Sequence, residues 1–231
     1  MRPLSLWQYE ARRAGWAAFL GPPVAVTLGV AAALANPVPG EVPTARILLG
    51  ALEMAVPLAA AVACASLVGR DPVAELQLTA RTPYRVTLLR RMAVTLGWTA
   101  VVAALTAAAL IATGWWARWP ANHGPLAGQL TWIAPTLGLS GLGFAAAAVL
   151  RSPAAAGALV TTLWAIQQFF ADLAQQHLPG RLLYLFATTR GTVPGDWTAN
   201  RLTLLGVGAA LIALAMVVLG RSERLIDGED A

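Results

Sequence analysis

Apolar residues run along this chain in six stretches, each close to the length of one bilayer crossing: 15–35, 47–68, 92–113, 130–150, 153–171 and 202–220. A helix needs roughly 20 mostly apolar residues to cross a hydrocarbon core of about 30 Å. The pattern therefore predicts an all-α integral membrane protein, one transmembrane domain over 1–231 with six transmembrane helices. These stretches take up more than half of the 231 residues and leave no room for a soluble catalytic domain. Ala33-Leu34-Ala35 resembles a signal-peptide cleavage site, but the apolar stretch before it is longer than the 7–15 residues of a signal core. It also carries Pro22-Pro23, and it reads as a retained span.

Composition agrees: 58% of the residues are hydrophobic and 12% charged, too few charges to cover a soluble domain of this size. There is no lysine, so no phosphate-gripping P-loop is present and ATP-driven work would fall to a separate subunit. The net charge of +5 is explained by topology rather than by nucleic acid, since no basic and aromatic residues interleave. With six spans both ends share one face, which collects eleven of the sixteen arginines, while Arg46, Arg118, Arg181, Arg190 and Arg201 fall on the other. Basic residues beside span ends resist translocation. Both termini are thus expected in the cytoplasm of a bacterial cell (inner) membrane. Trp115, Trp116, Trp119, Trp132 and Trp197 fall at the outer ends of spans, where an aromatic belt is expected.

Between the spans the polar pieces are punctuated. Leu4, Trp7, Ala11 and Ala14 follow helical spacing, with Arg12 and Arg13 on other faces. That predicts an interfacial helix over about 4–14, anchored by Trp7, Arg12 and Arg13 against anionic headgroups. In the segment 69–91, Asp71-Pro72 is a helix start, a capping carboxylate followed by proline in the first turn. A short helix should end near Arg81, and Thr82-Pro83 repeats the start signal before the third span. The plain alternative for this segment is an interfacial hairpin that merely joins two spans.

Glu75, Leu76 and Leu78, then Thr82-Pro83 and Arg90 before the third span, resemble the coupling region of type 2 class ABC exporter permeases. The Gly-rich fourth span followed by Arg151-Ser152-Pro153, and the last span with its charged tail from Asn200 to Arg224, are similar to that family in layout. The resemblance implies a non-catalytic permease subunit of an ATP-driven export system, its translocation path formed as a dimer with a second permease chain, identical or homologous. Two ABC ATPase subunits would bind the ATP and Mg, and this chain would bind no cofactor. Asp71, Pro72, Glu75, Leu76, Leu78, Arg81, Thr82 and Pro83 would be the coupling helix that contacts the ATPase. The family also implies short external helices between spans five and six, here in 172–201, where the apolar 182–187 is too short to span but able to dip into the outer leaflet.

Glu53 is the one carboxylate well inside a span, and an acid there is costly unless protonated, paired or wetted. It is a candidate path-lining residue, or else a side chain reaching the outer interface; Arg46 lies two turns away, beyond direct reach. Gln168 and Asp172, with Gln175, share helical spacing and either line the outer path or mark a helix leaving the membrane. Gly138-Leu139-Ser140-Gly141 matches the G-x-S-G of rhomboid proteases, but the last span offers no His, Asp, Glu or Lys as a base. Close helix packing through small residues explains it better. Pro22, Pro23 and Pro57 remove backbone donors and allow kinks. Cys64 is a small packed side chain, and no metal-ligand motif is present. The remaining alternatives are an assembly or immunity protein working without an ATPase, and an ion-coupled carrier in which Glu53 carries the proton.

Overall fold

A computed structural model describes residues 10, 14–68, 84–191 and 194–227, without the side chains of 222–227. Trp7, Arg12 and Arg13 of the expected interfacial anchor lie outside the described residues. So do Asp71, Pro72, Glu75, Leu76, Leu78, Arg81, Thr82 and Pro83 of the expected coupling helix. Among the described residues all regular structure is helical. The helices are α1 (Trp16–Leu34), α2 (Glu41–Ser66), α3 (Tyr84–Ala112), α4 (Trp115–Arg118), α5 (Leu130–Leu150), α6 (Pro153–Phe169), α7 (Ala171–Gln175), α8 (Leu178–Leu182) and α9 (Trp197–Asp227). Five of them, α1, α2, α3, α5 with its short 3-10 lead-in, and α9, are long and apolar enough to cross a membrane. The remaining apolar stretch, 153–171, forms α6, a helix of 17 residues.

Helices α5 and α2 form the centre, with 72% and 61% of their apolar stretches buried against 22–28% for α1, α3 and α9. The order follows from side-chain size. Gly141, Gly143 and Gly208 bring backbones together: a Cβ on Gly141 would stand 2.5 Å from the Gly208 carbonyl oxygen of α9, and one on Gly143 would stand 2.6 Å from the Ala61 carbonyl oxygen of α2. Helix association inside lipid rests on such close packing, because lipid tails are as apolar as leucine. Ser140 is buried within this contact and serves packing.

The prolines explain two local features. Pro23 has no N–H for the Phe19 carbonyl, and the Trp98 indole of α3 supplies the missing donor at 2.9 Å. Pro57 likewise offers no donor to Glu53 four residues earlier. The helix widens into a π-turn over Ala51–Ala55, where the Val56 N–H bonds to the Ala51 carbonyl. That turn carries Glu53. It also leaves the Met54 carbonyl to accept the Trp164 indole of α6 at 3.0 Å.

At one end of the bundle Glu10 and Arg91 form a buried ion pair at 2.9 Å, and Gly220 of α9 packs on Arg85 of α3. Both ends of the described chain therefore meet the start of α3. The opposite end, here the cap end, carries α4, α7, α8 and the segment that leads into α9.

Candidate functional site

The cap end is built on residues 184–190, Tyr-Leu-Phe-Ala-Thr-Thr-Arg, which turn back into the bundle between α8 and α9. Tyr184, Leu185, Phe186 and Ala187 are at most 3% exposed and pack with Ala61, Ala134, Leu139, Val160 and Leu204. Of the stretch expected to dip into the outer leaflet, 182–187, residues 184–187 bed into protein. Within 184–190 the Arg190 N–H reaches the Phe186 carbonyl at 2.9 Å, but most of the backbone there is not paired in a helix. Buried irregular backbone must find partners elsewhere.

Glu53 supplies two of them, the acceptors for the Thr188 and Thr189 N–H groups. Its Oε1 accepts the Thr188 N–H at 2.7 Å and the Arg201 Nη2; its Oε2 accepts the Thr189 N–H at 2.7 Å and the Thr189 hydroxyl. Glu53 and Arg201 are both fully buried and form an ion pair. Arg201 also donates to the Leu185 carbonyl at 3.1 Å and to Thr188 Oγ1 at 2.9 Å, with its guanidinium carbon 5.6 Å from the Trp197 ring centre. The Trp197 indole donates to the same Thr188 hydroxyl at 3.0 Å. With both lone pairs of that oxygen taken, its own proton goes to Thr131 Oγ1, 3.1 Å away on α5.

The outward-pointing carbonyls are covered as well. Trp119 Nε1 donates to Thr188 O at 3.0 Å and Arg46 Nε to Thr189 O at 2.9 Å. Arg46 thus joins the network through the backbone, without touching Glu53. Asn200 Nδ2 reaches the carbonyls of Arg181, Leu182 and Tyr184 and closes the end of α8. Gln167 accepts the Leu185 N–H at 2.8 Å. His123 stacks on Trp197 with ring centres 3.7 Å apart; burial there and the Arg201 charge lower its pKa, with Glu53 opposing.

Three sequence expectations change here. Glu53 does not line an open path within this chain: its carboxylate is fully enclosed, and each oxygen is filled by two donors. Gln168 and Asp172 do not share a continuous helix, because α6 ends at Phe169 and the backbone breaks at Phe170, φ −114° and ψ 41°. Gln168 instead holds Arg190 at 3.0 Å and the Met54 sulfur at 2.8 Å, while Asp172 is exposed on α7. The tryptophans form no simple belt either. Trp116, Trp132 and Trp197 are 3%, 7% and 3% exposed, each indole donating to a partner within the cap. A buried indole needs an acceptor, and the cap's many turns provide them.

No protein-family model, no curated protein and no solved structure matches this chain. The geometry itself describes a latch: a charged pair and its hydrogen bonds clamp α2, α5 and α9 to the connection between α6 and α9. Among the described residues no group of three or more His, Cys, Asp or Glu side chains converges to hold a metal.

The missed residue is Arg201. The apolar run by itself starts at Leu202 and leaves the arginine as a loop flank. Helix α9 starts five residues earlier, at Trp197, behind the turn Pro194–Asp196. Pro-Gly-Asp before an apolar run is itself a helix-start signal. All five arginines assigned to this face are engaged: Arg46 and Arg190 by hydrogen bonds, Arg118 by Glu41 at 3.3 Å, Arg181 by Asp196 at 3.2 Å, and Arg201 by Glu53.

Proposed function

We propose that this chain is the membrane-spanning permease subunit of an ATP-driven exporter of the type 2 ABC class, working as a dimer with an identical or homologous chain. Two separate ATPase subunits would bind ATP and Mg, and the protein would sit in the bacterial inner membrane with both ends cytoplasmic. The observation that supports this reading most is the segment between the last two long helices. In the place where the family resemblance calls for short external helices, the chain forms α7 and α8 and then folds 184–190 back into the bundle.

Six crossings are part of the proposal. Helix α6 begins beside the end of α5 and its last turn reaches Met54 and Leu185 at the cap end, although it is only 17 residues long. Such a helix rises about 25 Å and matches a locally thinned bilayer. The carrier alternative would need Glu53 to give up Arg201, two backbone amides and a hydroxyl in every cycle. The exporter reading asks for no such exchange, because the moving contact is assigned to residues 69–91.

A soluble motor shifts a membrane equilibrium only through groups it grips differently in its two states. Replacing Glu75 and Leu76 together by Ala is therefore expected to reduce co-purification of the ATPase at least about 10-fold, the equivalent of ~1.4 kcal/mol. Membrane insertion and the thermal midpoint of the isolated permease should stay unchanged. Full retention of the ATPase by the double variant would remove the coupling role.

A further inference from the structure

An open cleft of about 660 Å³ lies at the cap end between the start of α2, Trp119 and the end of the re-entrant segment. Its walls are largely apolar, with Val42, Ile47 and Met54 on α2. The charged residues that line it are Arg46 and Arg190, both cations. Arg46 Nε donates to the carbonyl of Thr189, the residue immediately before Arg190, and Arg190 Nη2 donates to Gln168 Oε1, so each guanidinium group is held at the cleft. Both arginines are exposed, and among the described residues no carboxylate lines the cleft to balance them.

Arg46, Gly50 and Met54 follow one another at four-residue spacing, a single stripe of α2. The stripe runs from Arg46 to Met54 over about 12 Å at 1.5 Å per residue. The cleft is thus a cationic mouth opening onto an apolar floor. Guanidinium groups recognise phosphate through paired N–H donors, and two cations held together without a counterion favour a shared anion.

We propose that this cleft binds one anionic lipid, its phosphate between Arg46 and Arg190 and an acyl chain along Ile47, Gly50 and Met54. The inference needs only a membrane-embedded chain, so it stands or falls separately from the exporter reading. A zwitterionic lipid of the same chains fills the floor equally but brings its own cation to the mouth. Discrimination therefore comes from the arginines and chain affinity from the floor.

The test uses the full chain, purified and delipidated in nonionic detergent, with fluorescent phosphatidylglycerol and phosphatidylcholine of matched chains. Phosphatidylglycerol is expected to bind about 10-fold more tightly, the size of one charge-assisted hydrogen bond. Arg190→Gln should bring the ratio close to one. Arg190→Lys keeps the charge without the fork and should give an intermediate ratio, which serves if the glutamine variant folds poorly. Gly50→Leu should weaken both lipids alike, since a Cβ there meets only Met54 Sδ, at 3.8 Å, and the rest of the side chain fills the floor. Equal binding of the two lipids overturns the proposal, as does a preference that survives in both Arg190 variants. Competition by glycerol 3-phosphate as strong as by phosphatidylglycerol would assign the mouth to soluble anions instead. Efficient disulfide cross-linking of Val42→Cys between two copies in a bilayer would assign the cleft to a subunit contact. Either result overturns it.

Discussion

Replacing Glu53 by Ala is expected to destabilise the protein by about 3–5 kcal/mol, the range seen when one member of a buried ion pair is removed. Arg201 would then stand fully buried without its counter-charge, and the N–H groups of Thr188 and Thr189 would lose their acceptor. Glu53→Gln keeps an oxygen of similar position and should lie between wild type and the alanine variant. Glu53→Gln combined with Arg201→Met removes both charges and should recover part of the loss, the sign of coupling between the two sites. Denaturant titration in detergent measures the stability. Hydrogen exchange gives a local readout: the Thr188 and Thr189 amides should lose protection in Glu53→Ala before the rest of the bundle does. An alanine variant with unchanged stability and unchanged amide protection would show that the latch holds nothing.

The second large effect lies at the crossing of α5 and α9. A Cβ added to Gly208 would stand 2.6 Å from the Leu137 carbonyl oxygen, 2.7 Å from the Leu137 carbonyl carbon and 2.9 Å from the Gly138 nitrogen. All three are backbone atoms, so no side chain can swing aside and the two helices must separate. Gly208→Ala is expected to cost about 1–3 kcal/mol, the usual range for overpacking, and Gly208→Leu more. Gly206, two residues earlier on the same helix, has open space around its Cβ position. Gly206→Ala should therefore stay within about 0.5 kcal/mol of wild type. The pair controls for helix propensity, since both changes replace glycine by alanine within α9. Equal stabilities for the two alanine variants would mean that this crossing is looser than its atoms indicate.

Helices were legible because their apolar runs are local. The run over 130–150 became α5 with the same limits, and that over 15–35 became α1 within one residue at each end. Charged and polar flanks were less legible. Helix α9 begins at Trp197, five residues before its apolar run, whereas the start signal at Thr82-Pro83 agrees with α3, which is helical from Tyr84 into its apolar stretch. Among site residues, Glu53 stood out as an acid in an apolar run, but its surroundings were misread. Gln168 and Asp172 share helical spacing in the sequence, yet the helix break at Phe170 separates them. The packing role of the small residues around Ser140 is legible in the sequence, since glycines four or fewer positions apart in an apolar run admit a neighbouring helix whatever that helix is.

By itself the amino-acid sequence determined that this protein is helical, membrane-suited and poor in surface charge, because hydropathy adds along the chain and a spanning segment must satisfy its own backbone. It also singled out the acid that matters most. Tertiary structure alone decided the acid's partner, 148 residues away, and turned Trp116, Trp132, Trp197 and the apolar residues 184–187 into the interior of a cap. The reason lies in the range of the forces. Helix formation is settled within a few residues, whereas a buried charge takes whichever counter-charge the packing of distant helices brings to it.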